Sequence, residues 1–150
     1  SFDALSFNCY ALSPDHKKMN HALEISGLPM IIGEYHFGTV DRGLAQSLWQ
    51  VNSQKERGDA FQYYTENAFA HRGLIGTGWF RWIDQNINGR TDGENYNCGF
   101  IDVTDMPYPY MVDAAIEAAK SLYEIHSGTK TPFHQAPNAV GHSPIPDLWE

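Results

Sequence analysis

The chain has 150 residues, of which 42% are hydrophobic and 13% aromatic, and its formal net charge is -8 at pH 7. A chain of this size and composition is long enough for one domain with a buried core. The acidic balance and the lack of Lys and Arg clusters argue against nucleic acid or an anionic membrane as a partner, because both bind concentrated positive charge. No apolar run approaches the roughly 20 residues of a membrane-spanning helix, and a neutral or cationic ligand is favoured.

The first predicted unit is a strand followed by a helix. The stretch 3–10, DALSFNCY, is typical of a buried strand. A helix is predicted to begin at Ser13, Pro14 and Asp15, because Ser and Asp cap helix starts and Pro fits the first turn, and to end at Gly27. Cys9 and Cys98 follow no CxxC spacing and are predicted to be thiols without a disulfide; they are the two cysteines of the chain.

The second predicted unit begins with the stretch 30–35, MIIGEY, an apolar run typical of a buried strand. Glu34 stands near its end, where burial of an ionised carboxylate costs free energy unless the group is used. A long irregular link follows, and helical spacing then extends from Glu56 to a predicted end at Gly73. The residues with this spacing are Ala60, Tyr63, Tyr64, Asn67 and Ala68.

The third predicted unit begins with a strand over 74–84, LIGTGWFRWID, followed by a polar, glycine-rich loop to about Asp105. A helix then follows, with Pro109 in its first turn and its end at Gly128. Its apolar face consists of Val112, Ala115, Ile116, Ala119, Leu122 and Tyr123. The sequence therefore divides into βα units over 1–128 and a proline-rich tail over 129–150, which is expected to be docked or flexible.

This alternation of strands and helices predicts a parallel α/β fold, in which functional side chains gather at the carboxyl ends of the strands. A closed eight-stranded barrel takes about 250 residues, so this chain is expected to leave two open sheet edges and to associate with a partner or with copies of itself. The polar and aromatic residues at the three strand ends are Asn8 and Tyr10, then Glu34 and His36, then Trp79, Trp82 and Asp84.

Each of these side chains has a functional and a structural interpretation. Glu34 is a candidate nucleophile or general base, or else the partner of Arg42 or Arg81 in an ion pair. Tyr10 could orient Glu34 or cap the core. His36 could bind substrate or be structural. Trp79 and Trp82 could stack on a sugar ring, although aromatic residues in strands more often belong to the core.

The stretch 84–95, DQNINGRTDGEN, matches the front half of a calcium-binding EF-hand loop. The match fails at its last position, where Asn95 replaces the required Glu, and the β-rich segment before it cannot be the entering helix. A polar loop whose Arg90, Asp92, Glu94 and Asn95 bind hydroxyl groups is the favoured interpretation. The sequence predicts no metal site and no cofactor, since it carries neither HExxH nor a phosphate-binding motif.

Three stretches together resemble the C-terminal part of retaining glycoside hydrolases of the large (β/α)8 clan, most closely the β-agarases of family fifty, with β-galactosidase-type relatives behind. They are IIGEYHFGTVDRGL, QKERGDAFQYYTENAF and GTGWFRWIDQNINGRTDGENYNCGFIDVTDMPYPYMVDAAIEAA. This resemblance implies that Glu34 is the nucleophile, that Tyr10 orients it and that Trp79 or Trp82 lies below the sugar. It also implies substrate contacts from the polar strand-end and loop residues, namely Asn8, His36, Asp84, Arg90, Asp92, Glu94 and Asn95.

The same resemblance implies that the chain forms about the sixth to eighth strands of a TIM barrel and takes part in retaining hydrolysis of β-galactosidic bonds in agar-type polysaccharide. The acid/base carboxyl would come from an Asn-Glu pair on a fourth strand outside this chain, so the isolated chain is expected to be inactive. The implied partners are a galactan and the remaining barrel portion, and the implied location is secreted or periplasmic. Two alternatives stay open: a non-catalytic carbohydrate-binding or assembly module, and a calcium-binding structural protein built on 84–95.

Overall fold

The computed structural model describes residues 2–142 and confirms an α/β fold with parallel strands. In chain order the elements are β1 (Leu5–Asn8), α1 (His16–Ser26), β2 (Met30–Tyr35), β3 (Trp49–Gln50), α2 (Gln54–Phe69), β4 (Leu74–Trp79), α3 (Pro109–His126) and β5 (Val140–Gly141). Strands β1, β2 and β4 form one parallel sheet in that order, and β3 pairs with β5 antiparallel. Within residues 2–142, no helix is both long and apolar enough to cross a membrane.

Local capping chemistry explains both ends of α1 and the start of α2, which Ser53 caps, but the predicted end of α2 is not the observed one. The Asp15 carboxylate accepts hydrogen bonds from the first backbone N–H groups of α1, and Gly27 ends that helix in the left-handed conformation, as predicted. The prediction that α2 ends at Gly73 is wrong, since the helix ends at Phe69. Gly73 serves packing instead, because a Cβ there would lie 2.9 Å from Leu23 Cδ2.

The third strand is shorter than predicted, because β4 ends at Trp79 rather than at Asp84. Phe80 N–H still donates to the Tyr35 carbonyl at 2.9 Å, but the chain beyond it pairs with its own loop. Phe100 N–H donates to the Trp82 carbonyl at 2.8 Å and Asp84 N–H to the Ile101 carbonyl at 3.0 Å. Trp82 and Asp84 therefore belong to the loop 80–108 and not to the sheet.

The main core lies between one face of the sheet and the helices α2 and α3. Tyr35 of β2 stacks on Tyr64 of α2 with ring centroids 4.0 Å apart, and its hydroxyl bonds to Thr65. The remaining buried members are Met30, Ile32 and Leu74 from the strands, Met19 from α1, Ala60, Phe61 and Ala68 from α2, Met111, Ala114 and Ala118 from α3, and Phe37, Val51 and Tyr108 from the connections. The apolar face predicted for α3 is therefore wrong, since its Ile116 and Tyr123 are exposed. This core covers the face of the sheet that α2 and α3 pack on, so the opposite face is left for other contacts.

The opposite face of the sheet carries small and polar residues. A Cβ added to Gly33 would lie 2.9 Å from Asn8 Oδ1 and 3.1 Å from Ser6 Oγ, so these side chains share one face. A Cβ added to Gly78 would lie 2.4 Å from the Gly33 carbonyl oxygen, which only glycine accommodates. The strands therefore approach closely on this face, which also carries Ile31 beside Gly76.

The segment after α3 docks on the body of the domain. Phe133 N–H donates to the Glu66 carboxylate at 2.7 Å, and His142 N–H donates to the Leu48 carbonyl at 2.7 Å. The short pair β3 and β5 was not predicted, because two-residue strands leave no periodic signal. Residue 1 and residues 143–150 of the predicted units lie outside the described residues, and the division at residue 128 stays a prediction. Both cysteines are thiols, as predicted.

Candidate active site

Glu34 lies half-buried at the carboxyl end of β2, and the Tyr10 hydroxyl donates to its Oε2 at 2.8 Å. Within residues 2–142, the salt bridges join other pairs and none includes Glu34, Arg42 or Arg81. The Arg42 guanidinium lies over the Tyr108 ring instead, 5.4 Å from its centroid. The described residues thus give Glu34 a hydroxyl partner and no cationic one.

The backbone around Tyr10 is held at three points, so its hydroxyl is well placed. Cys9 N–H donates to the Glu34 carbonyl at 2.9 Å, and the Tyr64 hydroxyl donates to the Cys9 carbonyl at 2.7 Å. The Trp49 indole N–H donates to the Tyr10 carbonyl at 2.8 Å. Burial, and then the hydrogen bond to Glu34, raise the pKa of Tyr10 well above its ordinary value, so the phenol keeps its proton and donates it.

Asn8 is the residue of β1 whose Cα pairs with Glu34 in the parallel register. Its side chain is exposed on the same face of the sheet as Gly33. Asn8 and Glu34 therefore hold paired positions at the carboxyl ends of β1 and β2, and the Asn8 amide can offer both a donor and an acceptor to a hydroxylated ligand.

His36 is fully buried, and both of its ring nitrogens bond to the backbone. Leu48 N–H donates to Nε2 at 3.1 Å, and Nδ1 lies 3.1 Å from the Phe80 carbonyl oxygen. Burial lowers the pKa of His36 to about 3, so the ring is neutral. Both nitrogens are occupied, and this geometry does not support the predicted substrate contact by His36.

The two tryptophans of the third unit have different surroundings. Trp79 packs against Tyr35 and Phe61 in the helix-facing core, and its indole N–H donates to the Cys98 carbonyl at 2.7 Å. Trp82 is 68% exposed and stacks on Phe100 with an interplanar angle of 26°. Of these two tryptophans, Trp82 is the one whose ring is mostly exposed.

Asp84 is buried at the centre of a polar network within the loop 80–108. Its carboxylate accepts hydrogen bonds from the Tyr108 hydroxyl at 2.6 Å, from Gly99 N–H at 2.7 Å and from Asn97 Nδ2. Each acceptor position is used within the protein, so Asp84 does not present its carboxylate to the loop surface. The predicted substrate contact by Asp84 is not supported by this geometry.

Arg57 is the fully buried cation beside this network. Its guanidinium donates to the carbonyls of Asn97 and Gly99 and lies 4.4 Å from the Tyr108 ring centroid. Burial lowers the pKa of Arg57, and the neighbouring Asp84 carboxylate opposes that shift. Arg57 thereby fixes the loop 80–108 on α2.

The surface of the same loop carries a charged cluster. Arg90 pairs with Asp92 and lies 3.3 Å from Glu94, and Gln85 Nε2 donates to Glu94 at 2.7 Å. Asn95 accepts from Ala45 N–H at 3.3 Å. The carboxylates that a calcium loop would direct at an ion thus have other partners. Asp92 bonds to Arg90, Glu94 to Arg90 and Gln85, and Asp84 to Gly99 and Tyr108. Among the described residues, no group of three or more His, Cys, Asp or Glu could hold a metal ion.

Comparison with known proteins relates the chain to one group of enzymes, although no protein-family model matches it. β-Agarase A of Vibrio sp. (strain JT0107) is 39% identical over 128 residues, which are 81% of this chain and 13% of that protein. The chain is a relative of the β-agarases. The solved structure of an exo-β-agarase has a TM-score of 0.78 at 38% identity, over 84% of this chain and 17% of that one. The agarase AgWH50C has a TM-score of 0.77 at 39% identity, over 83% of this chain and 18% of its own.

These comparisons confirm the resemblance to β-agarases that the residues indicated, and they limit what it covers. The chain spans about 13% of the length of the curated β-agarases that it matches. The names of the relatives therefore apply to much longer proteins, and the activity of this chain is a matter for proposal.

Sequence reasoning missed two residues of the site in this β-agarase relative. Trp49, which holds the Tyr10 carbonyl, lies in a link without periodicity, so no local pattern indicated it. Arg57 did leave a signal, since it precedes Phe61 by four residues and Tyr64 by seven and so shares the core-facing stripe of α2. A charged residue on such a stripe predicts a buried, hydrogen-bonded cation.

Proposed function

We propose that this chain forms about the sixth to eighth strands of a (β/α)8 barrel that hydrolyses β-galactosidic bonds of agar-type polysaccharide with retention of configuration. Glu34 is the nucleophile and Tyr10 orients it. The observation that carries the proposal is the 2.8 Å hydrogen bond from the Tyr10 hydroxyl to a carboxylate at a strand's carboxyl end, in a chain related to β-agarases.

The proposed reaction has two steps. Glu34 attacks the anomeric carbon and forms a glycosyl ester while the leaving oxygen takes a proton from a second carboxyl group. Water, deprotonated by that second group, then attacks the same carbon and releases Glu34. In retaining enzymes the two carboxyl groups lie about 5–5.5 Å apart. The second group belongs to the part of the barrel outside these 150 residues, and the isolated chain is inactive. No cofactor is required.

The open sheet supports a barrel that other strands complete. Strands β1 and β4 are the edges of the parallel sheet, and apolar side chains near both are exposed: Ile25 by 74%, Ile75 by 56% and Tyr123 by 91%. Such side chains and unpaired strand edges favour association. The remaining barrel portion is the proposed occupant, and a second copy of the chain is the alternative that solution mass would reveal.

The site geometry refines the substrate contacts. Trp82 is proposed as the stacking surface for a sugar ring, and Asn8, Arg90, Asp92, Glu94 and Asn95 as the polar groups for hydroxyls. Trp79, His36 and Asp84 support the site from the interior. A secreted or periplasmic location is proposed, because a polysaccharide cannot enter the cell intact.

The test is covalent trapping in the intact protein that carries this chain. A 2-fluoro galactoside with a dinitrophenyl leaving group needs little protonation to depart, so labelling reports on the nucleophile. We expect mass spectrometry to find one fluorogalactosyl group on the peptide that contains Glu34. The Glu34→Gln variant should lose the label, and Glu24→Gln, an exposed control on α1, should keep it. Absence of label from the unaltered protein would overturn the catalytic role and favour a carbohydrate-binding module.

A further inference from the structure

We propose that His36 is a positioning residue that keeps the Tyr10 hydroxyl on Glu34, acting through contacts with Tyr10 and not through contact with substrate. This inference rests on the proposed function. It concerns a buried residue that lies two positions beyond Glu34 and joins three separate segments around the site.

The hydrogen bonds of His36 determine its tautomer. The Leu48 amide can only donate, so Nε2 must accept, and the Phe80 carbonyl can only accept, so Nδ1 must carry the proton. The imidazole is then neutral and uses both nitrogens. It ties the link after β2 to the loop after β4, with the Glu34 strand end between them.

The ring of His36 also supports Tyr10 directly. The two ring centroids lie 4.9 Å apart at an interplanar angle of 67°, an edge contact between aromatic rings. Tyr96 lies on another side of the imidazole, 5.8 Å between centroids. The His36 ring is held in place by two hydrogen bonds and by Tyr96, so it restricts the position of the Tyr10 ring that packs against it.

The segment 48–49 also links His36 to Tyr10, through backbone and indole hydrogen bonds. Leu48, which donates to His36, is followed by Trp49, whose indole N–H donates to the Tyr10 carbonyl. His142, directly after β5, donates its N–H to the Leu48 carbonyl. His36 and the segment 48–49 therefore hold the ring and the backbone of Tyr10 together, and the docked C-terminal segment holds 48–49.

The charge state of His36 fits this arrangement. Burial lowers the pKa of His36 to about 3, so the ring is neutral at neutral pH. A neutral imidazole does not compete with the Tyr10 hydroxyl for the Glu34 carboxylate. His36 therefore contributes by positioning the Tyr10 ring.

The test is a double-mutant cycle on the rate of fluorogalactoside labelling, measured with the unaltered protein, His36→Ala, Tyr10→Phe and the double variant. A misplaced catalytic group costs on the order of 10- to 100-fold in rate, so His36→Ala should slow maximal labelling by that factor with little change in inhibitor binding. In the Tyr10→Phe background the same substitution should slow labelling less than about twofold, because the hydroxyl that His36 positions is already gone.

If the rate reduction in the double variant equals the product of the reductions in His36→Ala and Tyr10→Phe, the two residues act independently. That result would overturn the inference while leaving the proposed function intact. Failure of the unaltered protein to label would instead overturn the proposed function. His71→Ala is the matched control, since His71 is also buried with both ring nitrogens bonded, and it should leave the labelling rate unchanged. Should His36→Ala not fold, His36→Asn keeps an N–H for the Phe80 carbonyl, and the same coupling with Tyr10→Phe is expected.

Discussion

The two ends of the parallel sheet are built differently. At the amino end the connections are short, over residues 27–29 and 70–73, and they contain a close packing contact at Gly73 and backbone hydrogen bonds to the strands. At the carboxyl end the connections are long, over 9–15, 36–53 and 80–108; the last contains the Asp84 network, and Glu34 lies at the end of β2 beside them. Short connections fix the positions of strands, whereas long ones can present side chains to a ligand.

Two buried histidines make the same comparison at the level of single residues. His71, at the amino end, accepts from Gly73 N–H at 3.0 Å and bonds to Asn20, and burial lowers its pKa as it does that of His36. His36 differs in its neighbours, since its ring contacts that of Tyr10, whose hydroxyl donates to Glu34. A buried histidine with a lowered pKa is therefore no sign of function by itself, and the groups that it contacts decide.

The largest expected effect that would test this contrast is on stability at the carboxyl end. Asp84→Ala removes the acceptor of the Tyr108 hydroxyl and of Gly99 N–H, and one of the acceptors of Asn97 Nδ2, beside buried Arg57, and should lower the free energy of unfolding by about 3–5 kcal/mol. Urea unfolding measures this change. Asp92→Ala, on the exposed loop surface, should cost far less, and equal losses would contradict the buried network.

Tyr10→Phe comes next and sharpens the contrast in function. A hydrogen bond to a charged group contributes about 1.5–3 kcal/mol, which corresponds to roughly 10- to 150-fold in rate. Maximal labelling by the fluorogalactoside should slow by this factor while the protein stays folded by circular dichroism. Tyr123→Phe, an exposed tyrosine on α3, is the control and should label normally. An unchanged rate for Tyr10→Phe would remove Tyr10 from the site.

The pH dependence of stability should distinguish the two histidines. The pKa of His36 is about 3 in the folded protein and 6.5 ordinarily, so between these values the unfolded chain binds more protons. The contribution of neutral His36 to the free energy of unfolding is therefore complete above pH 6.5 and is lost as the pH falls toward 3. The free energy of unfolding changes by up to about 1.4 kcal/mol per pH unit in this range. His36→Asn should remove this slope in urea unfolding between pH 4 and pH 8, whereas His71→Asn should remove less.

The smallest expected effect on stability is at the exposed aromatic surface. Trp82→Ala should change the free energy of unfolding by about 0.5 kcal/mol or less, because most of the ring is in solvent. The affinity of the Trp82→Ala variant for a neutral galacto-oligosaccharide, measured by calorimetry on the intact protein, should fall. Ile87→Ala, exposed on the same loop, is the matched control. Unchanged affinity for Trp82→Ala would remove the proposed stacking surface.

Local chemistry in the sequence determined much of the framework. Asp15 and Gly27 bound α1, the apolar stretch 30–35 forms β2 as predicted, and Pro109 begins α3. Each of these features depends on neighbours within a few residues, such as a cap, a turn or an apolar run. The position of Glu34 at a strand end follows from the same local pattern.

Tertiary structure alone decided where β4 ends, which tryptophan is exposed, and that Asp84 and His36 face inward. Each outcome depends on partners far along the chain: Asp84 meets Tyr108, His36 meets Phe80, and β3 meets β5. No local periodicity encodes such pairs, because their free energy comes from burial and hydrogen bonds that exist only once distant segments have packed together.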